Sequence, residues 1–463
     1  MQRRKFGLLT GAGVLALAAG SRRASAQAAP GLAAGLTAFG SEAAGNAAGT
    51  IPPYTGGLTA IPAGVSWDPN ATLPPDFFAA DQMLYEVTAA NMDQYAHLLS
   101  DGVQAMINKN GFSVQVYPTH RTVAYPQYIL ENIAQNVTRA QLDPQGGRLG
   151  FTGGYGGVPF PILDQTDPYK AGGQLIWNHL VRWSGVYISN INCGFVVQGG
   201  GTPQMSSATQ NHYYYAYYDP NGSIQSSDNL LYKLAATDFG PATVIGNEIV
   251  YWDSINPRDR PVQVWQLLAG QGRVRKAPEV AYDTPSSYTD GICNYDEYFG
   301  FSGAPDQYDW KLVGKEEKLI PYNNNKVFST SIAEFHGPRA PNPNAIRWEL
   351  HRVWILEADL HPGIRNVMAK RRMYIDEDSW QIAITDTWDA KGELYHHNFV
   401  LNANFPNLPG TIFQNNIVVN LQTGNYTTLE GAYSDKICSQ PWTFGPVSQT
   451  NFDPQEMAAS ASY

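Results

Sequence analysis

Cysteine is scarce: Cys193, Cys293 and Cys438 are the only three among 463 residues. Three widely spaced thiols exclude a disulfide-built scaffold and show no zinc spacing. One pair can bridge with one left over, or all three are buried small apolar side chains. Charge is sparse too, at 15% of residues, with 40 acidic against 30 basic side chains. Without a long basic run a nucleic-acid partner is excluded, because phosphate affinity is built from clustered Lys and Arg. No apolar segment reaches the roughly 20 residues that cross a bilayer. The G-x-S-x-G elbow, H-E-x-x-H, a phosphate-binding loop and an EF-hand loop are all missing, as is any repeat of 20–50 residues.

What is present begins with an export signal. Arg3-Arg4-Lys5-Phe6 precedes the apolar stretch Leu8 to Ala19, which ends in Arg22, Arg23 and Ala24-Ser25-Ala26. This is a positive start, a short apolar region and a small-x-small cleavage site. The paired arginines fit the twin-arginine route, and a Sec signal remains the alternative. Gly11-Ala12-Gly13 mimics a dinucleotide loop but follows no strand, so it is discarded. Cleavage removes five positive charges, taking the chain from −10 to −15. No Cys near the cleavage point offers a lipid anchor. A hydrophobic share of 43% and an aromatic share of 12% are too high for a disordered chain.

Residues 27–60, rich in Ala, Gly, Thr and Pro, read as a flexible or surface-hugging arm. Residues 61–186 form the helix-rich part of the domain. Thr88 starts a helix through Met92, Tyr95, Leu99, Val103 and Met106, with a break near Ser100-Asp101-Gly102. Pro126 opens a second over Ile129, Ile133 and Val137, and a third covers Ala171 to Trp183. Residues 187–445 of the same domain change to period two. Trp348, Leu350, Arg352, Trp354, Leu356, Ala358 and Leu360 alternate with Glu349, His351, Glu357 and Asp359, a long half-buried strand. A hairpin follows, Arg371 to Ile375, the turn Glu377-Asp378-Ser379, then Trp380, Ile382, Ile384 and Trp388. Glu393 to Leu401, Val262 to Leu268, Tyr308 to Val313 and Leu319 to Phe328 also read as extended. Short turns between strands imply an antiparallel meander. Residues 446–463 are a C-terminal tail.

Candidate chemistry is thin. His396 and His397 fall on opposite strand faces, which argues against a shared metal. Asp376-Glu377-Asp378 is a paired-carboxylate candidate, though a solvated turn is the favoured reading. Tyr213-Tyr214-Tyr215 with Tyr217-Tyr218 suggests a stacking platform, against which stands division between two faces as packing. His179 with Cys193 or Cys438 lacks local support as a thiol site. Arg352 breaks an apolar face, so it either pairs with an acid or anchors a head group inside a cavity. Neither a metal nor a cofactor is expected.

Several segments resemble an exported proteobacterial family of unknown function that is labelled outer-membrane lipoprotein-sorting-like. They include Gly45-Asn46-x-x-Gly49-Thr50-Ile51-Pro52, Thr88-Ala89-Ala90-Asn91-Met92, Gly157-Val158-Pro159-Phe160-Pro161 and Ile176-Trp177-Asn178-His179. Most specific are Tyr308-Asp309-Trp310-Lys311-Leu312-Val313-Gly314, Pro321-Tyr322-Asn323-Asn324, Glu349-Leu350-His351-Arg352-Val353-Trp354 and Tyr374-Ile375-Asp376-Glu377-Asp378-Ser379-Trp380. The family is similar to the lipoprotein carriers LolA and LolB. That resemblance implies an α+β fold, a large curved antiparallel sheet or incomplete barrel, with helices over its concave face and an apolar cavity between. It also implies hydrophobic or lipid cargo, a resistance-nodulation-division transporter with an outer-membrane component as partners, and no catalytic residue. Gln307 and Asn366 depart from the Arg and His expected there.

The resulting expectation is a periplasmic carrier or chaperone, peripheral to the outer membrane, whose cargo is lined by Trp348, Leu350, Arg352, Trp354, Leu356, Ile382, Ile384 and Trp388. The rival expectations are an exported enzyme and an envelope component without cargo. N-terminal sequencing of exported protein is expected to start at Gln27. Lys at both Arg3 and Arg4 stops export if the twin-arginine route is used, whereas continued export leaves the Sec route.

Overall fold

The computed structural model describes residues 32–277 and 282–460. The signal residues Arg3, Arg4, Ala24 and Ala26 lie outside them. Short strands β1 (Tyr85–Val87) and β2 (Val114–Val116) flank α1 (Met92–Tyr95) and α2 (Asp101–Asn110). Helix α3 (Gln127–Arg139), the small pair β3 (Gln141–Leu142) and β4 (Phe151–Thr152), and α4 (Pro168–Leu180) follow. Then comes a meander of β5 (Tyr187–Val197), β6 (Gln204–Tyr214), α5 (Ile224–Ser227), β7 (Leu230–Gly240), β8 (Glu248–Ser254), β9 (Gln263–Leu267) and β10 (Val274–Lys276). A second meander holds β11 (Tyr308–Pro321), α6 (Ile332–Phe335), β12 (Trp348–Leu360), β13 (Lys370–Asp376), β14 (Ile382–Trp388), β15 (Leu394–Phe405), β16 (Gly410–Asn420) and β17 (Tyr426–Gly431). Antiparallel pairing of β17 with β5 fuses the two into one 15-stranded sheet. Only the Trp348–Val116 bridge is parallel among the described pairings. The fold is α+β.

Local chemistry explains the helices. Ser100 caps α2 by accepting from Val103 N at 3.2 Å, which places the break at the first residue of the expected triplet. Gly102 is needed there because a Cβ would sit 2.1 Å from His397 Nδ1, while its N–H donates to Asp386 at 2.9 Å. Asp167 caps α4, and Pro168 occupies its first turn. Helices α3 and α4 cover one apolar cluster, with Trp177, Trp310, Trp354 and Leu356. Helix α2 with β1 and β2 covers the other, with Trp348, Val353 and Phe399.

The long strand β12 is therefore buried on both faces rather than half-buried. Its charged face meets partners instead of water: Glu349 accepts from Arg347 Nε at 2.5 Å, Asn323 Nδ2 at 2.8 Å and His120 N at 2.8 Å. Tyr308 to Pro321 is one strand with a bulge at Val313, and residues 325–329 are helical, so the expected strand over Leu319 to Phe328 holds only to Pro321. Trp380 sits in the turn at φ 59° rather than on β14. Cys193 and Cys438 form a disulfide, and Cys293 is the buried free thiol.

The largest correction concerns Asp376-Glu377-Asp378, which is buried rather than a solvated turn. Arg121 grips Asp378 with Nε at 2.8 Å and Nη2 at 2.6 Å. Glu377 pairs with Lys315 and with Arg352 at 3.1 Å. Asp376 accepts from Tyr322 Oη at 3.1 Å and Ser379 N at 2.8 Å. Residues 32–60 join this network and are no flexible arm. Glu42 meets Lys315 at 2.7 Å, Ala44 O accepts from Arg352 at 3.1 Å, and Phe39 O accepts from Trp380 Nε1 at 3.0 Å. The C-terminal segment packs as well, with α7 (Pro454–Ser460) against β9 and β10 and Phe452 buried.

Arg121→Met keeps volume but strands Asp378. The expected loss is about 3–5 kcal/mol in denaturant unfolding, since breaking one side of a buried pair leaves an uncompensated charge. A loss below about 1 kcal/mol removes the network from its structural role.

Candidate functional site

Period two on the first meander builds a cleft. Ser207, Thr209, Asn211 and Tyr213 of β6, Tyr232, Leu234 and Ala236 of β7, and Ile249 and Tyr251 of β8 all face it. Register aligns them in rows: Tyr213 beside Leu234 beside Tyr251, and Asn211 beside Ala236 beside Ile249. Over this floor runs the loop before β11, contributing Tyr288, Tyr295, Tyr298, Phe299 and Ser302. Phe299 is held at φ 57° with its ring 4.1 Å from that of Phe413. The Tyr295 and Tyr298 hydroxyls bond Ser287 and Ser286, both at 3.1 Å, so the aromatic faces turn inward. Free space including the mouth is ≈ 920 Å³.

The charges in it are unusual. Glu430, on a bulge of β17 at φ 58°, bonds Asn192 Nδ2. Burial, opposed by that bond and aided by Asp238, pushes its pKa up to about 7. Asp253, bonded by Tyr232, is likewise raised by burial to about 7. Asp238 is raised by burial, with Thr209 bonded to it at 2.7 Å. A contiguous recess shares Tyr213, Tyr232, Phe299 and Ser302 with the cleft and adds Arg182, Tyr215 and Asp253. The site is thus an aromatic trough with weak acids along it and one guanidinium.

The eight residues expected to line a cargo site lie elsewhere. Trp348, Trp354, Leu356, Ile382 and Ile384 are buried in core, Leu350 is half-buried beside them, and none of the eight lines the cleft. They do not share one face. A bulge opposite Tyr374 and Ile375 places Ile382 in one cluster and Ile384 in the other. Trp388 lies at the surface end, under Lys370 and Arg372. Arg352 takes the ion-pair reading, with Glu377 and Glu42 at 3.1 and 3.4 Å. The tyrosine run divides between faces as expected: Tyr213 lines the cleft, while Tyr214 bonds Asp219 at 2.7 Å.

His396 and His397 also part, meeting Glu297 at 2.8 Å and Asp386 at 2.7 Å. His179 is structural, accepting from Ile382 N at 3.0 Å. The fold does bring His351, Asp376 and Asp378 together, with donor atoms within 4.8 Å. One imidazole and two carboxylates suit a divalent cation. Here Arg121 already holds both Asp378 oxygens, so a cation must compete with its fork. Sequence spacing could not show this trio, which joins a strand to a turn. The cleft's signal was present, as three consecutive strands whose alternate residues are mostly tyrosine, Ser, Thr, Asn or Ala.

A family model described as "Protein of unknown function (DUF1329)" matches residues 86–458. An uncharacterized protein of Pseudomonas aeruginosa is 37% identical over 384 residues, covering 80% of each chain. Among solved structures, a DUF1329 family protein from Desulfovibrio piger is similar at TM-score 0.43 and 15% identity, over 63% of this chain and 99% of that one. A putative outer membrane lipoprotein-sorting protein domain from Vibrio parahaemolyticus gives 0.42 and 12%, over 63% and 99%. A LolA superfamily protein from Nitrosomonas europaea gives 0.34 and 9%, over 59% and 93%.

The raised acids set a pH dependence. In the unfolded chain Glu430 and Asp253 ionise at their ordinary values of 4.5 and 3.8, whereas the folded forms hold their protons to about 7. Their contribution is fully present at low pH and is lost as pH rises through 7, by at most about 1.4 kcal/mol per unit for each group. Glu430→Gln with Asp253→Asn is expected to flatten the fall in stability between about pH 4 and pH 7. Parallel wild-type and variant profiles contradict the assignment.

Proposed function

The chain belongs to the DUF1329 family, and within it we propose an extracytoplasmic carrier or chaperone that shelters a hydrophobic molecule in the tyrosine-walled cleft. One observation carries this reading: the alternate side chains of β6, β7 and β8 face open space beneath an aromatic loop instead of packed core. Its lining is mostly aromatic and aliphatic, and each Å² of apolar ligand surface buried there contributes roughly 25 cal/mol. The Cys193–Cys438 disulfide supports an oxidising compartment, consistent with the expected export signal. Among the described residues no helix is long and apolar enough to cross a membrane. Delivery between membranes with an envelope transporter extends the same proposal.

The rival, an enzyme, has one feature in its favour: Glu430, raised to about 7 beside Asp238, suits a general acid. A binding protein needs no turnover, and Glu430→Gln separates the two by abolishing catalysis while leaving ligand held.

Ala236→Trp fills the middle of the floor. It is expected to weaken N-phenyl-1-naphthylamine binding at least about tenfold while the melting temperature stays within about 5 °C. Native mass spectrometry with lipid extraction of protein from its own compartment supplies the bound species. Wild-type protein that is lipid-free and binds no apolar probe ends the carrier reading.

A further inference from the structure

Arg182, itself half-buried, stands apart from the buried arginines. Arg121, Arg347, Arg352 and Arg371 each hold a carboxylate. Arg139 lacks one but is satisfied by Asn132, Gln135, Asn136 and the Tyr155 carbonyl. Arg182 donates to the His179 carbonyl at 3.0 Å and, among the described residues, has tyrosines rather than a carboxylate as its electrostatic neighbours. It is fixed at the C-terminal end of α4, with its guanidinium over the Phe299 ring at 5.5 Å. Around it in the recess stand Tyr213, Tyr215 and Tyr232.

A guanidinium carries five N–H donors and stays charged. Held among aromatic rings without a counterion it is costly, and an anion arriving with a ligand relieves that cost. The acids of the trough do not substitute. Asp253 shares the recess but accepts from Tyr232, and Glu430 lies on β17 with its bond to Asn192. Glu430 and Asp238 also disfavour a second anion at their end. Arg182 thus stands in the recess with Asp253, and Glu430 stands in the cleft, with aromatic walls between.

We infer that the molecule sheltered in the cleft is an anionic amphiphile whose carboxylate or phosphate group docks on Arg182 and whose apolar body lies along the Tyr213–Tyr232–Tyr251 floor. This rests on the binding reading of the cleft and adds the chemical class of its ligand. A planar oxyanion accepts two parallel N–H bonds from the guanidinium fork, which Lys reproduces only as a point charge.

Displacement of N-phenyl-1-naphthylamine from the full chain by decanoate, decyl phosphate, 1-decanol and decylamine tests it. Wild-type protein is expected to bind at least one of the two anions at least about tenfold more tightly than the alcohol and the amine. The tighter of the two identifies the head group. Arg182→Met is expected to lose that preference while holding 1-decanol within about twofold, and Arg182→Lys to keep part of it. An Arg182→Met variant that keeps the preference overturns the inference and leaves the carrier reading standing. If that variant does not fold, the wild-type ranking decides, and a preference for alcohol or amine overturns the inference. Wild-type protein that binds no probe ends both.

Discussion

Three consecutive carboxylates buried in one hairpin turn constrain everything around them. An isolated carboxylate in an apolar interior costs several kcal/mol, so Asp376, Glu377 and Asp378 can be enclosed only if donors converge on them. The donors come from distant parts of the chain: Arg121 before α3, Lys315 on β11, Tyr322 after it and Arg352 on β12. Glu42 and Ala44 of the N-terminal segment hold Lys315 and Arg352 in turn. Burial raises Asp376 and Glu377, whereas Asp378, though burial opposes it, is held low by the Arg121 fork. The turn therefore fixes the N-terminal segment, the start of α3 and the central strands as one unit.

That unit divides the sheet into two regimes. From β12 to β16 both faces are covered, and the strands read as almost continuously buried. From β6 to β9 burial alternates, and the loop before β11 rather than a long helix lies above. A loop whose aromatic rings are pinned at their hydroxyls and by Phe299 spans the floor without filling it. The charged turn ties one half together, and the other half keeps the open cleft.

Much of the fold was legible. The Trp348 to Leu360 strand, the hairpin after it and the front-loaded helices follow from period two, period 3.6 and their caps. What misled was the meaning of polarity. Charged residues alternating along β12 read as a wet face, because sequence cannot show that Arg347, Asn323 and His120 converge on Glu349. The acidic turn was misread for the same reason. The apolar rows chosen for cargo divide between two cores, Trp348 from Trp354 on β12 and, at a bulge, Ile382 from Ile384. Apolar alternation marks burial, and burial is shared by core and cavity. The cleft carries a different signal, tyrosines and small polar residues interleaved with Leu234 and Ile249.

That difference in composition has a physical basis. A row of Leu and Val collapses on its neighbours, since branched aliphatic side chains interdigitate at crystal-like density. Tyrosine is rigid, wide and tethered at its hydroxyl, so a floor of Tyr213, Tyr232 and Tyr251 under a roof of Tyr295, Tyr298 and Phe299 can stand apart. The polar groups then decide orientation. Acids with pKa raised to about 7 can take up a proton when a guest excludes water, whereas Arg182 keeps its charge whatever the cleft contains. A trough with one permanent charge at one end distinguishes the two ends of its guest, which a uniformly apolar cavity cannot do.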